Sequence, residues 1–328
     1  MRKHLNTALL AGLALGTTTF AGETDKKVVA PFTPLDDSWR FSLSMPAWVT
    51  WLTGDSTLNG QTTHIDLGPG DIIPRIDMAA DVRMEAHKGR FSVMGEFLYL
   101  SLSDGVGTNT VVKKLDFQVD QTMADVGVAW RIVETPRGYV DVTGGVRYTN
   151  FYQQVTLQPN DARIGAVAGK LAVAGTAVKI ARELRALEGS NPTVPIAPLD
   201  AGAIRGIVGA IQGVKGSTAT RKDRIASILH NALDRRVSRL DDWWDPYVGV
   251  RGRYNLSDKY YLSGKADIGG FGAGSDLSWQ AEVAFGTMVT QNIFSEVGYR
   301  ALGVDYNHDG LHMDTVTHGV QLTLGINF

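Results

Sequence analysis

Four residues near the C-terminal end of the chain have side chains that could carry catalysis. Asp305, His308, Asp309 and His312 fall within a few positions of one another. A His–Asp pair could act as the general base of a protease, and a His with a Ser could serve a lipid deacylase. His308, His312 and Asp305 could also ligate a metal, but a loop imposes little geometry on its ligands. We expect a polar, solvated loop here, with no catalytic residue, no metal site and no cofactor.

A larger set of charged residues recurs at every second position of several segments. Nine of its members are acidic and eight are basic: Arg40, Asp77, Asp81, Arg83, Glu85, Glu96, Asp125, Arg131, Asp141, Arg147, Arg251, Arg253, Lys265, Asp267, Glu282, Glu296 and Arg300. Carboxylates removed from water need partners, and one Arg guanidinium can satisfy two carboxylate oxygens. The near balance of charge predicts a network of ion pairs. A binding site for a small charged solute is the alternative.

The elements that carry these charges alternate between polar and apolar residues with a period of two. In the last segment Val320, Leu322, Leu324, Ile326 and Phe328 share one face, and the residues between them are polar or glycine. Such alternation is typical of a β-strand with two different faces. A terminal aromatic such as Phe328 is also the signal that outer-membrane barrels present to the barrel-assembly machinery. The charged set then lies on the opposite face, toward a lumen.

The number and spacing of these segments predict an all-β transmembrane antiparallel up-and-down barrel. We count about eight to ten strands and favour ten: 38–52, 75–87, 90–102, 114–133, 138–157, 244–256, 259–271, 277–289, 292–306 and 313–328. Short links after the even-numbered strands and longer ones after the odd-numbered strands are typical of bacterial barrels. A shift of phase at 121–124 predicts a bulge or a bend in the fourth strand.

The second half of the chain resembles a known group of proteins. The matching segments are WDPYVGVRGRYNLSDKYYLSGKADIGGFGAGSDLSWQ (244–280), VGYRALGVDYNHDG (297–310) and HGVQLTLGINF (318–328), with DMAADVRMEAHKGRFSVMGEFLYLSLSD (77–104) in the first half. They resemble a widespread group of uncharacterised Gram-negative outer-membrane barrels of the broad OmpA/OmpX-like type. The resemblance implies a closed barrel in the cell outer membrane and carries no activity with it.

The N-terminal residues and the composition indicate export. Residues 1–21 have a basic start, a short apolar run and small residues before position 22, as a cleaved signal peptide does. We expect 22–37 to be a periplasmic segment. The chain has no Cys, so we expect no disulfide to stabilise it. Its formal net charge of −2 argues against a nucleic-acid partner. No later apolar run is long enough for a spanning helix.

Residues 158–242 interrupt the barrel, whose halves are 38–157 and 243–328. Helical spacing predicts helices over 161–187, 200–214 and 222–240, with a Pro-containing connector at 191–198. This helical insertion belongs to an outer loop. It could cap the mouth, lie on the membrane surface or form an adhesive loop. Its basic residues, Arg221, Lys222, Arg224, Arg235, Arg236 and Arg239, could meet lipopolysaccharide phosphates or form a solvated face.

These patterns favour a non-enzymatic outer-membrane barrel with a structural, interaction or minor transport role and a lumen filled by paired charges. Its expected partners are outer-membrane lipid, lipopolysaccharide and the barrel-assembly machinery. A barrel enzyme acting on lipid A or peptides at the outer leaflet is one alternative. A narrow solute channel gated by the helical insertion is the other.

Overall fold

The computed structural model describes residues 38–58, 61–107, 111–173 and 201–328. Eleven strands form one antiparallel sheet in these ranges. Their bounds are β1 Arg40–Leu58, β2 Gln61–Leu67, β3 Ile76–Lys88, β4 Phe91–Gly107, β5 Val112–Thr135, β6 Gly138–Pro159, β7 Arg235–Asn255, β8 Tyr260–Gly270, β9 Leu277–Met288, β10 Ile293–His308 and β11 Leu311–Asn327. The expected signal peptide and periplasmic segment, 1–37, lie outside the described residues.

Pairing between the first and last strands closes the sheet into a barrel. β1 pairs with β11 from Ser42↔Asn327 to Leu58↔Leu311. Ten strands, β1 and β3 to β11, make up the ring, so the ten-stranded barrel predicted from the sequence is confirmed. β2 is additional, because it pairs only with the far half of β1.

The outside of the ring is apolar, which is the reverse of a soluble protein. Along β11, Leu322 and Leu324 are exposed, whereas Gln321 and Thr323, which point inward, are 2% and 3% exposed. Every backbone group inside a bilayer needs a partner, and a closed barrel with an apolar exterior provides one. The protein is therefore a β-barrel of the bacterial outer membrane.

Aromatic residues mark the two edges of the apolar belt. At the end with the short turns, Phe41 stacks on Phe328 with ring centroids 6.0 Å apart. At the other end Trp51 stacks on His318 at 6.0 Å, and Tyr299 hydrogen bonds to His318. We call these the inner rim and the outer rim. In bacterial barrels the short turns are periplasmic, so the outer rim faces the outside.

The strands continue beyond the outer rim. There the outward face carries polar residues and the inward face carries apolar ones. The register between β4 and β5 is unbroken from Phe91↔Trp130 to Gly107↔Lys114, so of the bulge or bend predicted at 121–124 the bulge is wrong. The apparent shift of phase has another cause. Above the membrane the outward face carries Asp120 and Thr122, while Met123 is buried on the inward face.

Four short helices accompany the barrel within the described ranges. α1, Pro69–Ile72, and a 3-10 turn, Ile73–Arg75, connect β2 to β3; α2 is Asp161–Val173, α3 is Ala201–Gln212 and α4 is Thr218–Leu233. No helix in the described ranges is both long and apolar enough to cross a membrane. Part of the predicted first helix and the predicted connector, 174–200, lie outside the described residues.

The helical insertion is shorter than predicted at its C-terminal side. The strand β7 begins at Arg235 rather than at 244, and its first residues pair with β6 from Leu157↔Arg235 onward. The helix predicted to end at 240 ends at Leu233. The charged residues of this stretch also fit one face of a helix, so the sequence alone predicts a helix there. The stretch is extended because it pairs with β6.

Candidate functional site in the barrel lumen

Glu96 on β4 is the centre of a charged network in the lumen. Its carboxylate lies 3.2 Å from Arg83 Nε, 2.5 Å from Arg300 Nη1 and 3.3 Å from Lys265 Nζ. These partners belong to β3, β10 and β8. Arg300 is fully buried and also lies 3.4 Å from Asp81. One carboxylate thus joins side chains from three other parts of the wall.

Glu282 on β9 forms a second centre beside the first. Arg83 Nη1 lies 3.0 Å from its Oε1, and Lys265 Nζ lies 3.6 Å from its Oε2. Gln321 Nε2 donates to the same Oε1 at 2.9 Å. Arg83 and Lys265 therefore each bridge both glutamates, which makes Glu96 and Glu282 one unit.

Two further groups of ion pairs flank this unit. Arg147 Nη2 lies 3.2 Å from Asp125 and 3.0 Å from Asp267. Arg251 donates to Glu85 at 2.6 Å and to Asp141 at 3.0 Å. Arg131 also lies 3.0 Å from Asp141, which is 1% exposed. In each group a guanidinium or a carboxylate serves two partners of opposite charge.

The position of these pairs in the ring decides what they do. β4 and β10 lie four places apart in the ring of ten, counted through β3, β1 and β11, and β3 and β9 are separated in the same way. The contacts of Arg300 with Glu96 and of Arg83 with Glu282 therefore cross the lumen, whereas others, such as that of Arg83 with Glu96, join neighbouring strands. Buried charges are stable only when paired, so the network fastens opposite walls together. We call it the lumen network.

Most residues predicted to face the lumen belong to this network or lie beside it. Glu296 accepts from Ser263 Oγ at 3.4 Å, and the Arg253 guanidinium stacks over the Tyr261 ring at 3.3 Å. Arg40 is at the start of β1, opposite His87. Asp77 is the exception: the register of β3 with β4 shifts between Ile76 and Met78, which leaves Asp77 exposed outside the network.

Neutral polar residues complete the network, and the sequence analysis missed them. Gln280 accepts from Arg300 Nη2 at 3.0 Å, Ser92 accepts from Arg251 at 3.1 Å, and Tyr247 donates to Asp125 at 2.7 Å. They occupy the same inward positions of their strands as the charged residues. The alternation that identified the charges could have identified them as well.

A cavity of about 230 Å³ lies on the periplasmic side of the network. Its lining combines charged, hydroxyl and aromatic side chains, among them Ser42, Tyr139, Arg253, Tyr261, Phe294 and Glu296. Arg83 and Glu96 form part of the same lining, so the cavity reaches the lumen network. Its volume suits a small solute, and its charged and hydroxyl groups could bind the polar part of one.

On the outer side, apolar residues close the lumen above the network. Trp243 stacks on Tyr306 with centroids 4.3 Å apart, and Leu311 packs with them. Further out, Ile164 and Leu171 of α2 and Leu229 of α4 pack against Leu157, on the inward face of β6. Of the three predicted placements of the helical insertion, a cap over the mouth fits this packing. The basic residues do not share one helix, because Arg235, Arg236 and Arg239 belong to β7.

The loop between β8 and β9 is fastened into the mouth by Asp245. Its carboxylate accepts from Ser275 N at 2.7 Å, from Ser275 Oγ at 2.8 Å and from Trp243 Nε1 at 3.1 Å. Gly270 and Gly272 have φ values of +87° and +74°, which glycine adopts readily. The glycine-rich stretch 269–276 therefore includes a loop with a fixed conformation.

The histidines near the C-terminal end do not form a catalytic group in the described residues. His312 Nδ1 lies 3.8 Å from Asp305 Oδ1, too far for a hydrogen bond. The Nδ1 atom of His308 contacts the backbone oxygen of Asn307. No set of three His, Asp or Glu side chains in the described ranges is close enough together to hold a metal ion.

No protein-family model and no curated protein matches this sequence. Solved barrels are similar to it in structure. The outer membrane protease OmpT from Escherichia coli shares 9% identity over 90% of this chain and 99% of its own, with a TM-score of 0.48. The attachment invasion locus protein Ail of Yersinia pestis shares 8% over 89% and 100%, with a TM-score of 0.33. The toluene transporter TodX of P. putida shares 9% over 92% of each chain, with a TM-score of 0.34.

These proteins are all outer-membrane β-barrels, and they differ in role. At such low identity the similarity describes the fold alone. A protease, an attachment protein and a transporter give no common activity, so function has to be argued from the lumen and the cap.

Proposed function

We propose that this protein is a non-enzymatic outer-membrane barrel that is closed along its axis and acts through its capped outer surface. The observation that carries the proposal is the set of ion pairs around Glu96 that joins opposite walls. A hydrated pore needs a continuous polar path. Here the path meets paired charges in the middle and apolar packing around Trp243 and Tyr306 further out.

The energy of such pairs favours a closed lumen. Removing one partner from a buried ion pair costs about 3–5 kcal/mol, because the remaining charge is left without compensation. An ion passing along the axis would have to separate Glu96 from Arg83, Lys265 and Arg300 in turn. Because each cation also holds another carboxylate, breaking one pair disturbs several.

The outer surface offers a partner for the proposed interaction role. Lys222 and Arg224 on α4 and Arg235 and Arg236 at the start of β7 are exposed near the mouth. Exposed cations at this level suit the phosphates of lipopolysaccharide. We propose that the cap contacts the surrounding lipopolysaccharide. Charge reversal at Lys222 and Arg224, with Arg90 at the periplasmic end as the control site, should weaken lipopolysaccharide binding to purified protein.

A second candidate is a narrow solute channel, and the cavity below the network favours it. The cavity lies beneath the cap and the apolar packing, so outward movement of the helices would have to accompany conduction. This candidate predicts that the cap is a gate. The proposal of a closed lumen predicts that the ion pairs block the path whether or not the helices are present.

Single-channel conductance in a planar bilayer tests both candidates. The full-length protein and a variant lacking 161–233, with a short linker between β6 and β7, are compared. Silence in both supports the closed lumen, and conductance only in the deletion variant identifies the cap as a gate. Steady conductance of the full-length protein would overturn the proposal. Heat-dependent gel mobility first establishes that both barrels are folded.

A further inference from the structure

The wall of the barrel has a seam between β1 and β3. These strands pair only from Arg40↔His87 to Ser44↔Arg83. From Met45 to Trp51, β1 pairs with β11 alone, and it then pairs with β2 from Leu52↔Leu67 onward. All of these residues lie in the described ranges. The stretch Met45–Trp51 faces β3 without a ladder; we call the region between it and the stretch Ile76–Val82 the seam.

Pro46 explains why the ladder ends where it does. Phe41 and Phe328 exchange both backbone hydrogen bonds at 2.9 Å, so odd-numbered residues of β1 bond to β11 and even-numbered ones face β3. After Ser44, the next residue to bond β3 is Pro46, which has no N–H to donate. The sequence itself therefore stops the pairing at this position.

The seam lies in the outer half of the membrane belt. Trp51 belongs to the outer rim through its stacking on His318, whereas Phe41 and Phe328 form the inner rim. The stretch from Met45 to Trp51 ends at the outer rim. The residues along it include three small ones, Ala47 on β1 and Ala79 and Ala80 on β3. The seam thus lies at the level of the outer leaflet.

Behind the seam, three polar atoms are enclosed and have no hydrogen-bond partner among the described residues. They are Trp48 Nε1, Asp81 Oδ1 and Arg300 Nε. The Arg300 guanidinium lies over the Trp48 ring at 4.7 Å, and Arg300 also reaches Asp81 Oδ2 at 3.4 Å. Asp81 is 8% exposed and Arg300 is 0% exposed. Unpaired polar atoms in such surroundings are costly, which favours a partner that supplies the missing bonds.

The types of these atoms define that partner. Trp48 Nε1 and Arg300 Nε need an acceptor, and the ionised Asp81 carboxylate needs a donor. One hydroxyl group supplies both. The apolar residues that border the seam on the lipid side, Met45, Val49, Met78 and Val82, suit an apolar body.

We propose that the seam binds a neutral amphipathic molecule from the outer leaflet, an apolar ring or chain bearing one hydroxyl. Its apolar body lies between β1 and β3, and its hydroxyl bonds Asp81 and Trp48. The three polar atoms are enclosed, so the Trp48 indole turns to admit the hydroxyl. This site is independent of axial conduction, because the molecule enters through the wall.

The first test compares two probes that differ by one hydroxyl group. 4-Heptylphenol and heptylbenzene are titrated by calorimetry into full-length protein in lipid nanodiscs, with empty nanodiscs as the blank. We expect saturable binding of one 4-heptylphenol, and heptylbenzene about thirtyfold weaker, since the hydroxyl makes two hydrogen bonds of about 1 kcal/mol each. Equal binding of the two probes, or only the uptake seen in empty nanodiscs, would overturn the proposal. This comparison needs no variant.

Two substitutions then locate the site. Trp48→Phe removes the indole donor and should weaken 4-heptylphenol binding about fivefold, whereas Trp51→Phe at the outer rim should leave it unchanged. Pro46→Val restores a backbone donor facing Asp81, so the ladder can extend. It should slow amide exchange at 76–82 and weaken binding, while Ala86→Val, which lies opposite Phe41 and outside the seam, should alter neither as much. The proposal would be contradicted if Pro46→Val and the wild type showed the same amide exchange and the same 4-heptylphenol binding.

A second copy of the chain is the competing occupant of the seam. The protein has no cysteine, so Ala47→Cys introduces a single thiol next to the seam. In vesicles treated with an oxidant, we expect this variant to remain a monomer. A disulfide-linked dimer forming at high yield would show that the seam is a protein interface and would contradict the binding site proposed here.

Discussion

Arg300 on β10 and Glu96 on β4 meet across the lumen, with Nη1 and Oε1 2.5 Å apart and no exposed surface on Arg300. The contact joins two strands on nearly opposite sides of the ring. It therefore holds opposite parts of the barrel wall together, and we expect the stability of the barrel to depend on it.

Replacing Arg300 should destabilise the barrel strongly. Arg300→Met leaves Glu96 with one fewer cation and leaves Asp81 without its nearest one, at a cost of about 3–5 kcal/mol. The free energy of unfolding can be measured by urea titration in detergent micelles. Arg90→Met, at an exposed periplasmic turn, is the matched control and should change the value by less than about 0.5 kcal/mol. Equal stability of the two variants would show that the contact between Arg300 and Glu96 does not stabilise the barrel.

Gly286 should tolerate no side chain. A Cβ atom at this position would lie 2.1 Å from Cζ of Tyr261, which is 1% exposed and cannot move aside. Gly286→Ala should lower the free energy of unfolding by about 1–3 kcal/mol through overpacking. Gly165→Ala in α2 is the control, because nothing lies within 4 Å of its Cβ and alanine favours a helix. Both values come from the same urea titration, and a neutral Gly286→Ala would show that the lumen is loosely packed.

Asp245 should hold the β8–β9 loop in place. Asp245→Ala removes three hydrogen bonds and leaves the Ser275 amide buried without an acceptor. We expect faster proteolytic cleavage within 271–276 in the folded protein, read by mass spectrometry. Ser275→Ala removes only the hydroxyl bond and should have a smaller effect. If Asp245→Ala is cut no faster than wild type, the loop is held by something other than these bonds.

The attachment of the segment before β3 should weaken in acid. Arg75 Nε donates to Asp104 Oδ2 at 2.5 Å, and this bond holds the pKa of Asp104 below its usual 3.8. A lowered pKa in the folded state means that the contribution is complete above about pH 4 and disappears as the pH falls through the lowered value. Protection factors at 69–75, which correct amide exchange for its intrinsic pH dependence, should therefore fall at low pH. Asp104→Asn should show low protection factors already at neutral pH, and a fall with pH that persists in this variant would exclude Asp104 as its source.

The sequence predicted the barrel because lipid on one side and a polar lumen on the other impose alternation on each strand. It did not predict β2, since Gln61–Leu67 lies beyond the outer rim, where no lipid selects apolar residues. Residues 235–242 were assigned to the insertion for a related reason: above the membrane, pairing with β6 decides the conformation. The alternation of polar and apolar residues along a strand is weaker in the parts that extend beyond the bilayer.

The charged residues of the lumen were predictable, but their partners were not. Alternation places Glu96 and Arg300 inside, whereas their contact depends on how far each strand rises through the ring. Asp77 shows where assigning faces by alternation fails. A single irregularity in the register beside Ile76 moves it out of the lumen. Pro46 is the one residue that could have predicted the seam. It lies in the middle of a strand, where proline interrupts pairing.

The unequal partnerships of β1 also bear on how the barrel comes to exist. β1 pairs with β11 along nearly its whole length, but with β3 only over Arg40–Ser44 and with β2 only over Leu52–Leu58. During biogenesis Met45–Trp51 therefore has no neighbouring strand to pair with until β11 arrives. A chain interrupted before β11 leaves this stretch without any ladder, so the wall closes only once β11 has been made.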